Sequence, residues 1–282
     1  MLKNPIACLA VMMLFAAPCT VAQEQAEPVE ETKPAQAIDS ADPVAEAIKA
    51  INKQDNGITI NAEDGHVDVA ATVCLRSGDF LEMLACTEDT REHESILVIN
   101  AAPSQMHLGL LLLGLEPGKP LSYDQAFDPP KLIHAKGPEV GVFIVVKLDE
   151  TEREIPANRW VQDNKTKEIM KGNTWLFAGS QFTAFQDKPV YQADLNGSAI
   201  SLVNFGDDLL TLPNKLTDAN DHHDKVWAPR TQAIPKVGTK VTIRLRPMVK
   251  DKTKGKEDSK HEDQGNDKQA SPPPSPAPNP NE

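Results

Sequence analysis

The chain has 282 residues and a formal net charge of −12, with aromatic residues at 5%. Affinity for phosphate backbones grows with the number of Lys and Arg contacts, so this acidity argues against nucleic acid and anionic membranes as partners. No apolar run reaches the ~20 residues that a membrane-spanning helix needs. We therefore expect a protein or a small molecule as the partner, and no transmembrane segment.

Residues 1–22 have the pattern of a secretory signal. Lys3 precedes an apolar run over 6–17, and small residues surround the expected cleavage point after residue 22. Pro18 directly before Cys19 does not favour a lipoprotein signal. The sequence thus predicts an exported protein, periplasmic or extracellular, without a lipid anchor.

The rest of the chain divides into three parts by composition. Residues 23–56 are rich in Ala, Glu and Pro, which predicts an acidic linker, with one short helix over 42–53 as an alternative. Residues 57–248 have the length of a single domain. Residues 249–282 mix charges of both signs and end in a Pro-rich run, which predicts a disordered tail.

The domain begins with segments that predict an antiparallel meander. The Asp-Gly dipeptide at 64–65 predicts a two-residue hairpin turn that places Ile60 opposite Val69. After a second turn, a strand over 81–86 would pair antiparallel with the first hairpin, and 95–101 reads as the next strand.

A helix over about 104–114 follows, with Ser104 as its cap and Gly114 at its end. Its apolar residues lie nearly all round, which predicts a buried helix. Later strands are expected over 140–148 and 241–246, with a hairpin over 160–170.

A further hairpin is expected at Asn196-Gly197, where the turn would pair Tyr191 with Leu202. Taken together, the segments predict an α+β domain: strand-dominated antiparallel meanders with one buried helix.

Several motifs together resemble a known family. They are RxHES-like residues Arg91 to Ser95, the leucine run that ends at Gly114, the stretch from Trp175 to Ser180, and Tyr191 to Asp194. In combination they resemble the YdjY-domain family of exported bacterial proteins. The resemblance implies an extracytoplasmic domain and brings no established activity with it.

Some members of that family carry a ferredoxin-like label. An iron–sulfur cluster takes four cysteine ligands, and the chain after residue 22 has two, Cys74 and Cys86. We therefore reject an iron–sulfur cofactor. A disulfide between these cysteines is not favoured either, because the predicted hairpin places them about 13 Å apart along the strands. A disulfide needs Cα atoms within about 7 Å.

The adjacent pair His93 and Glu94 is the best candidate polar site, with His107 as a third member. Histidine can act as a base or bind a metal ion, and a carboxylate can orient it. With Cys86 added, the set offers the N, S and O ligands of a zinc-like divalent ion. The alternatives are a loop held by hydrogen bonds and a structural core histidine.

A second metal candidate is the acid- and histidine-rich segment 218–224, with a solvated loop as its alternative. No nucleophile elbow or phosphate-binding loop is present in the sequence. The sequence thus favours a non-enzymatic binding or structural module of the cell envelope. The alternative is a hydrolase-like, metal-dependent enzyme that uses His93 and Glu94.

Overall fold

The computed structural model describes residues 42–148, 151–213 and 226–248. The predicted signal, the linker up to residue 41, the candidate metal segment 218–224 and the tail 249–282 lie outside these residues. None of the described helices has the length and apolarity that crossing a membrane requires.

The described residues form three short α-helices and many short strands. The helices are α1 (Pro43–Asn52), α2 (Pro103–Leu112) and α3 (Gln192–Asn196). The first eight strands are β1 (Ile58–Asn61), β2 (His66–Val73), β3 (Met83–Thr87), β4 (Ser95–Ile99), β5 (Ser122–Asp124), β6 (Lys131–Ile133), β7 (Glu139–Leu148) and β8 (Thr151–Pro156). The others are β9 (Val161–Asp163), β10 (Thr174–Phe177), β11 (Phe182–Phe185), β12 (Lys188–Tyr191), β13 (Ile200–Ser201), β14 (Leu210–Thr211), β15 (Trp227–Pro229) and β16 (Lys240–Pro247).

Eight of these strands close into a ring. Their order is β2, β16, β7, β10, β14, β13, β3 and β4, and β4 pairs back onto β2. In β16 the alternate residues Val241, Ile243 and Leu245 are buried, which is the pattern of a strand with one face toward a packed interior. The predicted α+β class with one buried helix is therefore wrong: the domain is a strand-dominated closed barrel with three short helices among the described residues.

The predicted antiparallel meander is wrong at β3. This strand does not pair with β2, because β4 lies between them, antiparallel to β2 and parallel to β3. The pair β13 and β14 is also parallel. Segments 88–94 and 202–209 make the two short crossovers. Both β3 and β4 are apolar on successive residues and buried on both faces, as expected for strands enclosed on two sides.

The first hairpin forms, but the register between its two strands differs from the predicted one by two residues. Ile60 lies opposite Val67 instead of Val69, because the turn contains four residues, 62–65, between Asn61 and His66. A shift of two residues keeps every side chain on its predicted face, since side chains alternate along a strand. Ile58 and Ile60 are consequently still buried.

The predicted hairpin turn at Asn196-Gly197 is wrong, because these two residues end a short helix. Residues 192–196 form α3, and Gly197 adopts φ 74° as its left-handed cap, with its N–H donating to the Ala193 carbonyl. A left-handed glycine suits a helix end as well as a hairpin turn, so the dipeptide alone does not distinguish them.

Helix α2 is buried on one side only, which corrects the prediction of a helix buried all round. Met106, Gly109 and Leu110 face the barrel, whereas Leu108 and Leu111 are exposed. The helix also begins one residue earlier than predicted, with Pro103 in its first turn. It therefore presents a mixed surface, part core and part solvent.

The N-terminus of α2 is capped from outside the helix. The backbone N–H and the hydroxyl of Ser104 donate to the two carboxylate oxygens of Asp194 at 2.7 and 2.6 Å. Since a carboxylate at a helix N-terminus satisfies free N–H groups, Asp194 takes the role predicted for Ser104.

We expect Asp194→Ala to lower the free energy of unfolding by about 1 kcal/mol, the usual cost of losing a helix cap. Urea unfolding monitored by circular dichroism measures the change. Glu63→Ala, at an exposed position on the first hairpin turn, is the control and should change stability little. Equal effects of the two substitutions would contradict the capping role.

Candidate functional site

His93 and Glu94 lie together on a 3₁₀ turn, but their surroundings differ. The His93 side chain is 77% exposed, whereas Glu94 is buried and pairs with Arg91 at 3.4 Å. His93 Nε2 lies 3.9 Å from the Glu94 carboxylate. The Arg91 guanidinium also stacks 4.0 Å from the ring centroid of Phe205. This group therefore ties crossover 88–94 to crossover 202–209.

Cys74 and Cys86 are both free thiols. The Cys74 thiol donates to the Ser95 carbonyl at 3.1 Å. Burial raises the pKa of Cys74 to about 12, helped by the neighbouring Cys86, and burial also raises the pKa of Cys86. Because the thiolate is the nucleophilic form, neither cysteine is prepared for nucleophilic chemistry at neutral pH.

Cys74 and Cys86 lie beside opposite edges of β4. The Cys74 backbone N–H bonds to Ile96 on one edge of β4, and Cys86 lies opposite Val98 on the other edge. Two strand spacings therefore separate the cysteine-bearing strands, which is roughly 10 Å. The predicted hairpin register was wrong, yet this spacing also exceeds the Cα separation of a disulfide.

His107 belongs to a different group of residues, inside the contact of α2 with the barrel. Its Nδ1 lies 2.7 Å from the Tyr191 hydroxyl, which donates its single proton to the Gly179 carbonyl at 2.9 Å. His107 Nδ1 must therefore be the donor to Tyr191. Burial lowers the pKa of His107, and its ring packs edge-on against Phe177 at 4.9 Å.

The residues of the proposed metal set thus serve separate local structures. Glu94 pairs with Arg91, His107 bonds to Tyr191, and the Cys86 thiol is buried. Within the described ranges, no group of three or more His, Cys, Asp or Glu residues could hold a metal ion. The geometry gives the four residues no common centre.

A buried polar cluster that the sequence did not reveal surrounds Asp208. Asp208 is fully buried, and one carboxylate oxygen accepts the N–H groups of Phe205 and Gly206 at 2.9 and 3.1 Å. Burial, together with the nearby Asp207, raises its pKa to about 7, against the lowering effects of the Ser201 hydroxyl and of the two backbone N–H groups.

The Ser201 hydroxyl lies beside this carboxyl without meeting the geometry of a full hydrogen bond. The remaining oxygen of Asp208 has no hydrogen-bond partner. The cluster can hold and release a proton near neutral pH, but Asp208 has no surface with which to touch a substrate. Its signal in the sequence is a pair of acids, 207–208, within a mostly apolar stretch.

A largely exposed hairpin spans residues 119–136 and is here called the arm. Its strands are β5 and β6, and a further bridge joins Lys119 to Lys136 at its base. The base is fixed to the barrel, since the Gly118 N–H donates to the Phe177 carbonyl at 2.9 Å. Leu121 is buried, and most other residues of the arm are exposed.

Large apolar side chains lie on this exposed arm. Tyr123, Phe127 and Ile133 are 44%, 53% and 43% exposed. The Lys131 ammonium lies 5.6 Å from the centroid of the Phe127 ring. Among the described strands, β5 and β6 pair only with each other. A two-stranded hairpin alone is marginally stable in water, and contact with a partner would stabilise it. The arm is therefore the best candidate for a partner-binding surface.

Little in the sequence predicts the arm. Strand alternation is short there, and Pro129-Pro130 interrupts the pattern before β6. The available signal is a cluster of aromatic and aliphatic residues flanked by prolines. It follows the helix that ends at Gly114 and precedes the strongly β-forming segment 140–148.

Together, the fold and its candidate site define a strand-dominated domain: a closed eight-stranded barrel that carries a separate two-stranded arm. The model of the YdjY domain matches residues 58–246, from β1 into β16. The chain belongs to the YdjY domain family, and the arm lies inside the family domain. Neither a curated protein nor a solved structure matches the chain.

Proposed function

We propose that this chain is a non-enzymatic binding module of the cell envelope, and that the arm is its binding surface. The observation that supports the proposal is the exposure of three large apolar side chains, Tyr123, Phe127 and Ile133, on one hairpin. The envelope location rests on the signal-like pattern of residues 1–22.

The chemistry of the arm suits a protein partner. Aromatic side chains supply large contact areas and are enriched at the centres of protein interfaces. Lysines at 119, 131 and 136 and aspartates at 124 and 128 provide polar groups around the apolar residues. Such a mixture of an apolar centre and a charged rim is the usual anatomy of a protein–protein interface.

Another exposed aromatic residue, Phe182, is 70% exposed on β11, and its ring packs against Tyr191 at 5.3 Å. Among the side chains of that hairpin whose exposure is described, Phe182 is the one large apolar residue that is exposed, whereas the arm carries three. The hydrolase-like alternative has weaker support, because Glu94 and His107 already bind Arg91 and Tyr191.

Size-exclusion chromatography of a detergent-solubilised cell envelope tests the proposal. We expect the native chain to elute in a complex and the triple variant Tyr123→Ser, Phe127→Ser, Ile133→Ser to elute at the monomer position. The three side chains are exposed, so the variant should retain its circular dichroism spectrum and unfold normally. The control is Phe182→Ser with Val237→Ser, which removes exposed apolar residues elsewhere. Identical elution of all three proteins would overturn the proposal.

A further inference from the structure

We propose that the partner of the arm is a second copy of this chain, joined β5 to β5 around a two-fold axis. This inference rests on the proposed function, because it takes the arm as the binding surface. It starts from the free edges of the arm: within the described residues, each of its strands has hydrogen-bonded neighbours on one side only.

The two edges differ in how well they are protected. Proline and lysine on an edge strand discourage pairing with another chain. β6 begins at Lys131, directly after Pro129-Pro130. β5 consists of Ser122, Tyr123 and Asp124, with neither residue type, and the nearest lysine and proline, Lys119 and Pro120, lie ahead of Leu121, whereas Lys131 is part of β6 itself. The edge of β5 is therefore the one open to another strand.

Pairing of β5 with itself has a compatible register. Two identical strands related by a two-fold axis run antiparallel, and the residue on the axis faces its own copy. With Tyr123 on the axis, Ser122 faces Asp124 of the second copy, and no like charges are opposed. Aromatic cross-strand pairs stabilise antiparallel sheets, so the Tyr123 pair favours this register.

The resulting four-stranded sheet would be more stable than an isolated hairpin. Two arms joined through β5 give four strands in the order β6, β5, β5, β6. Three or more strands with an apolar face can be stable where a lone hairpin is marginal. A two-fold contact is also closed, so pairing stops at the dimer instead of extending into fibres.

Charge favours this surface for contact between two acidic copies. The whole chain carries −12, whereas the arm over 119–136 contains three lysines and two aspartates. Like-charged molecules repel least where their surfaces are least charged. The aspartates offset most of the lysine charge, so the arm suits a second copy better than an anionic lipid surface.

Charge substitution on the axis tests self-pairing by sedimentation equilibrium of the full chain. We expect a concentration-dependent dimer for the native chain and for the control Phe182→Ser. Tyr123→Arg and Tyr123→Glu each place like charges face to face and should weaken dimerisation at least tenfold. An equimolar mixture of the two variants should restore a mixed dimer, because Arg then faces Glu. Only pairing around residue 123 produces this rescue.

A native chain that stays monomeric up to about 0.5 mM would overturn the inference. Equal weakening by Phe182→Ser, or failure of the mixture to restore dimers, would overturn it too. So would a monomeric native chain that pellets with anionic phosphatidylglycerol vesicles. A monomer that still elutes in an arm-dependent envelope complex would refute the second copy and leave the proposed function intact.

Discussion

Gly118→Ala is expected to lower the free energy of unfolding by about 3 kcal/mol or more, the upper range for overpacking. A Cβ at this position would overlap the Lys136 carbonyl oxygen and the Gly137 Cα, which are both backbone atoms. They cannot move freely, because Lys119 and Lys136 exchange backbone hydrogen bonds of 2.8 and 2.9 Å at the base of the arm. Urea unfolding of the purified chain measures the loss.

Gly114→Ala is the matched control for this substitution. Gly114 has φ +84°, but a Cβ there would meet nothing within 4 Å. Its cost is therefore only the left-handed backbone strain, about 1–2 kcal/mol. If Gly114→Ala proved as destabilising as Gly118→Ala, the close approach of the two segments at the arm base would be contradicted.

Asp208→Asn is expected to remove most of a pH dependence of stability. The pKa of Asp208 is about 7 in the fold against 3.8 ordinarily, so between these values the folded chain binds a proton that the unfolded chain releases. Stability from this group is present at low pH and is lost as the pH rises from about 4 to about 7. At pH 8 the native chain carries the buried charge, and the variant should be more stable by up to about 4 kcal/mol.

Chemical unfolding at pH 5 and at pH 8 measures this difference. We expect the advantage of Asp208→Asn over the native chain to be larger at pH 8 than at pH 5. Asp79→Asn, at an exposed aspartate, is the control and should leave the pH dependence in place. A difference between Asp208→Asn and the native chain that is equal at the two pH values would show that Asp208 is not protonated in the fold.

Local patterns predicted individual elements better than their arrangement. The alternation in 241–246 and the β-forming run 140–148 correspond to β16 and β7, and the hairpin near 160–170 is formed by β9 and the Val161–Met170 hydrogen bond. The parallel pairing of β3 with β4 was not predictable in this way. A seven-residue connection is ordinary for a hairpin, whereas parallel neighbours usually need a dozen residues or more.

The candidate site was missed for a related reason. Residue type drew attention to His93, Glu94 and His107, but their roles depend on partners that are distant in sequence. His107 bonds to a tyrosine 84 residues away, and Arg91, the partner of Glu94, stacks on Phe205. The arm has no reactive residue type to mark it. Its exposure follows from the barrel closing without it, and no local pattern contains that information.

Site-specific photo-crosslinking in intact cells tests most directly whether the arm is the binding surface. A benzoylphenylalanine residue replaces Phe127 on the arm or, as the control, Val237, which is exposed in the turn before β16. We predict a discrete crosslinked product from position 127, at twice the chain mass if the partner is a second copy, and none from position 237. No product from position 127, or the same products from both positions, would contradict the arm as the binding surface.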